Sequence, residues 1–310
     1  MMRRITIVWL GLMALGLGTG GAPSSGEIQT KLKREPDRFA DYWYQGKAEL
    51  SRFRLKQARY GELHEGDAVL IYVTEDFLRD IQVKKEFGDG PADTVLKLNA
   101  TRKFNTGIYP YSLMTSVFTK IDFQQPSTPK VSFSSQEWCG HIYSQMNLRE
   151  GKYHTELHSY FQKEADRSFE LPKAWLEDEI WTLIRIAPEK LPLGALEVIP
   201  SLQFSRLLHQ EPLPLAANAT LSEKKDRRFS KERLLVYKLA YEKPDRTLEI
   251  FFERQQPFRI LGWLDRHQSG FGDRAQTLTT VAVRTHLMMI DYWNKNRVAD
   301  KKLRKELGLD

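Results

Sequence analysis

The chain has 310 residues, 41% of them hydrophobic and 28% charged, with a formal net charge of +7 and one cysteine. This composition excludes a disordered or fibrous chain, and a lone cysteine excludes an internal disulfide framework. No glycine loop that would cradle phosphate, no Ser/His/Asp signature and no nucleic-acid motif accompanies the small positive excess, so neither a cofactor nor a nucleic-acid partner is expected.

Residues 1–22 read as a secretory leader. Arg3 and Arg4 form its charged start, residues 5–17 its apolar run, and residues 18–22 supply small side chains for cleavage. The run is short for a membrane span, which takes about 20 residues. The expected location is periplasmic or extracellular in a bacterium, with membrane contact only through an uncleaved leader. Residues 23–41 read as a linker and short helix, 42–293 as one antiparallel β domain, and 294–310 as a polar tail, partly helical.

Alternating side chains predict strands at 42–57, 59–63, 68–74, 95–104 and 106–121. Glu65-Gly66-Asp67 has the chemistry of a hairpin turn, and the apolar run 69–73 predicts a central strand buried on both faces. Pro110 lacks an N–H, which predicts an edge, a bulge or a strand start. Its neighbours Tyr109 and Tyr111 either cap the core or hold a flat or greasy ligand.

Residues 130–163 predict a hairpin that turns at 148–152. Side chains alternate across a strand. Trp138, Ile142 and Met146 then share a face with Tyr153, Leu157 and Phe161. Glu137, Cys139, His141, Tyr143 and Gln145 share the other with His154, Glu156, His158 and Tyr160. Aligning the apolar faces pairs His141 with Tyr160, Tyr143 with His158, Gln145 with Glu156, and Asn147 with His154. The polar front is either the wet side of a one-sided sheet or the wall of a pocket. As a pocket wall it makes Tyr109, Tyr111, Glu137, Cys139, His141, Tyr143, Glu156, His158 and Tyr160 the ligand-binding residues. An alternative makes Cys139 a nucleophile with His141 or His158 as its base. Residues two apart on one strand face lie roughly 6.7 Å apart, which allows a Cys–His contact. His154 and His158 lie about 13 Å apart on a strand, too far to share a zinc ion at about 2.0–2.1 Å per bond. No metal site is expected.

A helix is predicted between Pro172 and Pro188, with Leu176, Ile180, Leu183 and Ile184 as one apolar stripe packed on the sheet. Glu177-Asp178-Glu179 in its first turn and Arg185 in its last complement the helix dipole, so the acidic triplet reads as electrostatic capping. A tight turn at 191–194 leads into a strand region at 196–208. Residues 223–233 form a charged loop or strand edge, and strands follow at 234–241, 246–253, 258–264 and 277–292. The predicted fold is mainly β: a large curved antiparallel sheet, as a β-clam or open barrel, with one packed helix.

The motifs YWYQGKAEL (residues 42–50), KFNTGIYPYSLMTS (103–116) and QEWCGHIYSQMN (136–147) resemble signatures of an uncharacterised family of exported, Bacteroidetes-type bacterial proteins. Some members carry a septum-inhibitor (Maf) label, which implies a cytosolic nucleotide pyrophosphatase; the leader and the strand-rich pattern oppose it. The helix followed by Leu191-Pro192-Leu193-Gly194 and Ile199-Pro200 resembles periplasmic β-clam proteins such as lipoprotein carriers, in which a curved sheet wraps a helix. The expected function is an exported, non-catalytic cell-envelope binding protein with an amphiphilic, lipid-like or glycan ligand. Two alternatives stay open: a thiol-dependent hydrolase or transferase using Cys139, and a structural envelope protein. The sequence carries no sign of oligomeric state.

Overall fold

The computed structural model describes residues 23–32 and 34–309; the leader expected at 1–22 lies outside the described residues. Helices α1 (Ser25–Lys31) and α2 (Pro36–Trp43) come first. A meander follows: β1 (Ala48–Arg59), β2 (Glu62–Leu78), β3 (Ala92–Thr106), β4 (Tyr109–Lys120), β5 (Lys130–Glu137), β6 (Gly140–Arg149), β7 (Lys152–Ser159) and β8 (Arg167–Pro172). Lys173 and Ala174 then lead into β9 (Trp175–Leu176), α3 (Glu177–Ile186), β10 (Gly194–Ile199) and α4 (Leu202–Leu208). A second meander comprises β11 (Leu215–Lys225), β12 (Arg233–Tyr241), β13 (Arg246–Phe252), β14 (Ile260–Ser269) and β15 (Gln276–Ile290), before α5 (Lys302–Glu306).

All fifteen strands form one sheet, in the order β8-β7-β6-β5-β4-β3-β2-β1-β15-β14-β13-β12-β11-β10-β9. Every pairing is antiparallel except β9 with β10. The two meanders are therefore laced together by β1 and β15, and β8 and β9 are the sheet's edges. The mainly β, curved antiparallel architecture predicted from the strand alternation is the one observed.

The curvature follows from what α3 touches. Thr182 of α3 shares a 2.6 Å hydrogen bond with Thr119 of β4, and Glu177 accepts one of 2.7 Å from Tyr241 of β12. Seven strand spacings separate β4 from β12, roughly 33 Å in a flat sheet. Five residues of helix rise only about 7.5 Å. The sheet must curl round the helix for one short element to reach both. Its inner face, with Leu70, Leu98, Leu113, Phe133, Tyr237, Ile250 and Trp263, forms one core with Ile180, Leu183 and Ile184 of α3.

Two expectations change at this level. The turn is at Tyr60-Gly61, with φ of 53° and 79°, and β2 runs straight through Gly66. Gly66 serves close approach instead: a Cβ there would lie 2.2 Å from the Lys103 carbonyl oxygen of β3. The strand expected at 196–208 is β10 followed by α4. Pro200 ends the strand, and the Ser201 hydroxyl caps the helix by accepting from the Phe204 N–H at 3.1 Å.

Helix α3 also departs from one-sided packing, since every one of its residues is buried. Its charges must then find partners inside. Arg185 grips Glu49 of β1 with two hydrogen bonds of 2.8 and 2.6 Å, and Tyr42 donates to the same carboxylate at 2.5 Å. Burial opposes ionisation of Glu49, yet the guanidinium holds its carboxyl below the usual range. The Arg185 charge also lies 4.9 Å from the Trp43 ring centre and 4.7 Å from that of Tyr72. Substitution Arg185→Met leaves Glu49 buried without a counter-charge and should cost about 3–5 kcal/mol in urea denaturation. The double variant Glu49→Gln/Arg185→Met should recover most of that loss, and a single-variant loss below about 1 kcal/mol would show that the pair does not secure the helix.

Candidate functional site

The hairpin register read from the apolar faces is the register observed: Tyr143 pairs with His158, Gln145 with Glu156 and Asn147 with His154. The ladder ends at Ile142 with Ser159, so His141 and Tyr160 are not a ladder pair. Ile142 and Met146 are buried as expected. Trp138 is not. It forms with Cys139 the two-residue turn that joins β5 to β6, and it is 67% exposed. Alternation stops at a turn, so the face assigned to Trp138 does not carry over.

The expected ligand-binding residues therefore divide. His141, Tyr143, Glu156, His158 and Tyr160 lie on the outer, exposed side of β6 and β7 and of the loop after them. None of them lines a cavity. Tyr143 donates to Gln145 at 2.7 Å, and Glu156 accepts from Ser168 at 2.6 Å. Cys139 is exposed in its turn, and no hydrogen bond joins it to His141, His158 or any other residue among the described residues. Tyr111 belongs to the core, stacked on Phe104 at 4.9 Å. Burial pushes its hydroxyl well above the usual tyrosine range. Tyr109 donates to the Tyr60 hydroxyl at 3.2 Å and stacks on Trp138 with ring centres 6.3 Å apart. Glu137 is buried and pairs with Arg206 of α4 at 2.5 Å. Among the described residues, no group of three or more His, Cys, Asp and Glu side chains converges to hold a metal.

The hairpin does border a cavity, with its other face. A space of about 510 Å³ lies between the inner side of β5–β8 and α4. Phe133, Ile142, Leu157, Phe169 and Leu202 supply apolar wall, and Phe271 adds a ring. The polar part of its lining is of mixed charge, with Lys163, Arg167 and Arg206 beside Glu164 and Glu211, and includes His209 and Gln210. Arg167 binds Glu211 at 2.6 Å, and His209 binds Glu164 at 2.6 Å. Ser205 Oγ, Arg167 Nε and Arg206 Nε have no hydrogen-bond partner.

Helix α4 separates this space from a second one at the barrel centre. Its Leu202 N–H donates to Asp178 of α3 at 3.0 Å, its Arg206 meets Glu137 of β5, and Arg59 of β1 donates to its Leu207 carbonyl. The central cavity is small, about 40 Å³ counted as space open to the centre of a water molecule. Its walls are charged. Arg246 lies between Glu177, at 2.5 and 2.8 Å, and Asp265, at 2.8 and 3.0 Å. Burial opposes ionisation of Asp265, but Arg246 outweighs it and keeps the carboxyl far below the usual range. Asp178 has no cation within 4 Å among the described residues; burial first, then the nearby Glu177, pushes its carboxyl up to about 7. Burial likewise lifts the neighbouring Glu179 to about 7.

Fold and site together define an open, barrel-like β protein built round an internal helix, with cavities inside. No family model matches the chain, and no curated protein matches it. Among solved structures, the chain is similar to a beta-barrel-like protein of a domain of unknown function from Brucella abortus. The identity is 10% and the TM-score 0.45, over 78% of this chain and 97% of that one.

Asp178 and Glu179 keep their protons in the folded chain up to about pH 7, whereas their ordinary values are 3.8 and 4.5. Between about pH 4 and 7 the folded state thus binds more protons than the unfolded one, and these groups make stability fall as pH rises through that window. The effect should be on the order of a few kcal/mol. Melting curves of Asp178→Asn/Glu179→Gln should show a flatter profile over this range and a higher Tm at pH 8; an unchanged profile would mean both carboxylates are already ionised. Cys139 should be alkylated in the native protein as fast as in a short peptide. Its Cys139→Ser variant should keep the wild-type Tm.

Proposed function

We propose that this chain is an exported, non-catalytic binding protein of the bacterial cell envelope that takes an amphiphilic, lipid-like ligand. The carrying observation is the 510 Å³ cavity between β5–β8 and α4, apolar along one wall and charged along another. Small-molecule sites span about 300–1,000 Å³ and combine apolar walls with a few placed polar groups. An acyl chain would lie against Phe133, Ile142, Leu157 and Phe169, and its headgroup would meet Lys163 and Arg167. Export rests on the leader pattern at residues 1–22. Among the described residues no helix is long and apolar enough to cross a membrane. A glycan has less support, because the exposed rings of Trp138, Tyr143 and Tyr160 lie outside this cavity.

Thiol catalysis has less support, because no hydrogen bond joins Cys139 to a histidine among the described residues. Organic extraction of the protein purified from a bacterial envelope, followed by mass spectrometry, should release a lipid in near-stoichiometric yield. A fluorescent long-chain fatty acid should bind the stripped protein saturably. Leu157→Trp, which fills the cavity, should weaken that binding at least tenfold without lowering the Tm. An empty extract together with no saturable binding would rule the reading out.

A further inference from the structure

The central cavity contains a cation that no carboxylate touches. Arg102 of β3 points to the inner face, its ladder neighbours there being the buried Ala68 and Leu113. Its Nη1 donates to Gln57 at 3.2 Å, and its charge sits 5.1 Å from the Trp263 ring centre. No carboxylate of the described residues comes within 4 Å of it, although Glu177, Asp178 and Asp265 line the same cavity. Glu177 and Asp265 both bind Arg246, whose single charge leaves one negative charge over, and Arg102 feels it only at longer range. A guanidinium has five donors to satisfy, and Gln57 takes one. The side chain lines the cavity and keeps accessible surface there. Further along the same strands the lining is apolar, with Leu70, Leu98 and Val117, and α3 adds Trp181.

We infer that the central cavity is a binding site for a small monocarboxylate of acetate or propionate size, with Arg102 as its anchor. With only about 40 Å³ open to the centre of a water molecule, the cavity has room for water or for a small ligand. A carboxylate matches the guanidinium fork with two parallel hydrogen bonds. Its alkyl end suits the apolar wall, which inorganic phosphate or chloride cannot use. The site is distinct from the larger cavity, since α4 stands between them, and it does not depend on the lipid reading.

Calorimetric titration of the full chain with sodium propionate, acetate, phosphate and chloride at fixed ionic strength tests this. Propionate and acetate should bind saturably at one site and raise the Tm, with phosphate and chloride inert. Arg102→Met should lose at least tenfold in propionate affinity while its ligand-free Tm stays near wild type, because no direct ion pair is broken. At pH 8, above the range in which Asp178 keeps its proton, Asp178→Asn should bind propionate several-fold more tightly, because it deletes a charged carboxylate from the same cavity. The inference fails if propionate does not bind the wild type, if Arg102→Met binds it equally, or if phosphate or chloride binds as well. It also fails if Arg102→Met melts well below wild type and Asp178→Asn gains no affinity, since that pattern marks a water-bridged Arg102–Asp178 pair.

Discussion

The Arg246 guanidinium, held between Glu177 of α3 and Asp265 of β14, is the contact on which the interior depends. A helix enclosed on every side cannot turn its charged residues to water. Glu177 has one solution, a cation delivered by a strand from the far side of the sheet. Arg246 provides it at the first position of β13 and is itself balanced by the neighbouring strand. Rotating α3 by one residue would separate Glu177 from Arg246 and Arg185 from Glu49 together. Two ion pairs at opposite ends of a ten-residue helix thus fix its rotation and its depth.

Such pairs do not add much net stability, because desolvation of the ions cancels most of their attraction. Their effect is on which arrangement is allowed. Apolar contacts around α3 would tolerate small slips, whereas a charge moved away from its partner in a dry interior is heavily penalised. The same logic applies to α4. Its Arg206–Glu137 pair and its Leu202 N–H to Asp178 bond keep it across the barrel. The interior is thereby divided into a larger, half-apolar space and a small, charged one.

Much of this was open to a reading of the sequence. The β6–β7 register follows from apolar parity alone, and so does the mainly β class. Alternation marks the inner charges as well: Arg102 is in phase with Leu98 and Phe104, Arg246 with Leu248 and Ile250, and Asp265 and His267 with Trp263. A charged residue in phase with an apolar face is the local sign of a polar interior. Other features have no such sign. Nothing in the string Glu137-Trp138-Cys139-Gly140 gives the usual turn chemistry, so parity runs on through what is a two-residue loop. The apolar stripe of α3 is compatible with one-sided packing. Only the closure of distant strands, a long-range property, shows that its acidic side is enclosed too.

The strands at the two edges of the sheet, β8 and β9, are consecutive in the chain and joined by Lys173 and Ala174 alone. Along the sheet the two halves of the polypeptide join at two places, covalently at this short strap and by the β1–β15 ladder at the sheet's middle, while α3 and α4 bridge them inside. Severing the strap would leave two separate polypeptides still zipped together by backbone hydrogen bonds from Ala48 to Lys56. The molecule is in this sense a book with its spine at β1 and β15, and its covers are tied at residues 173–174.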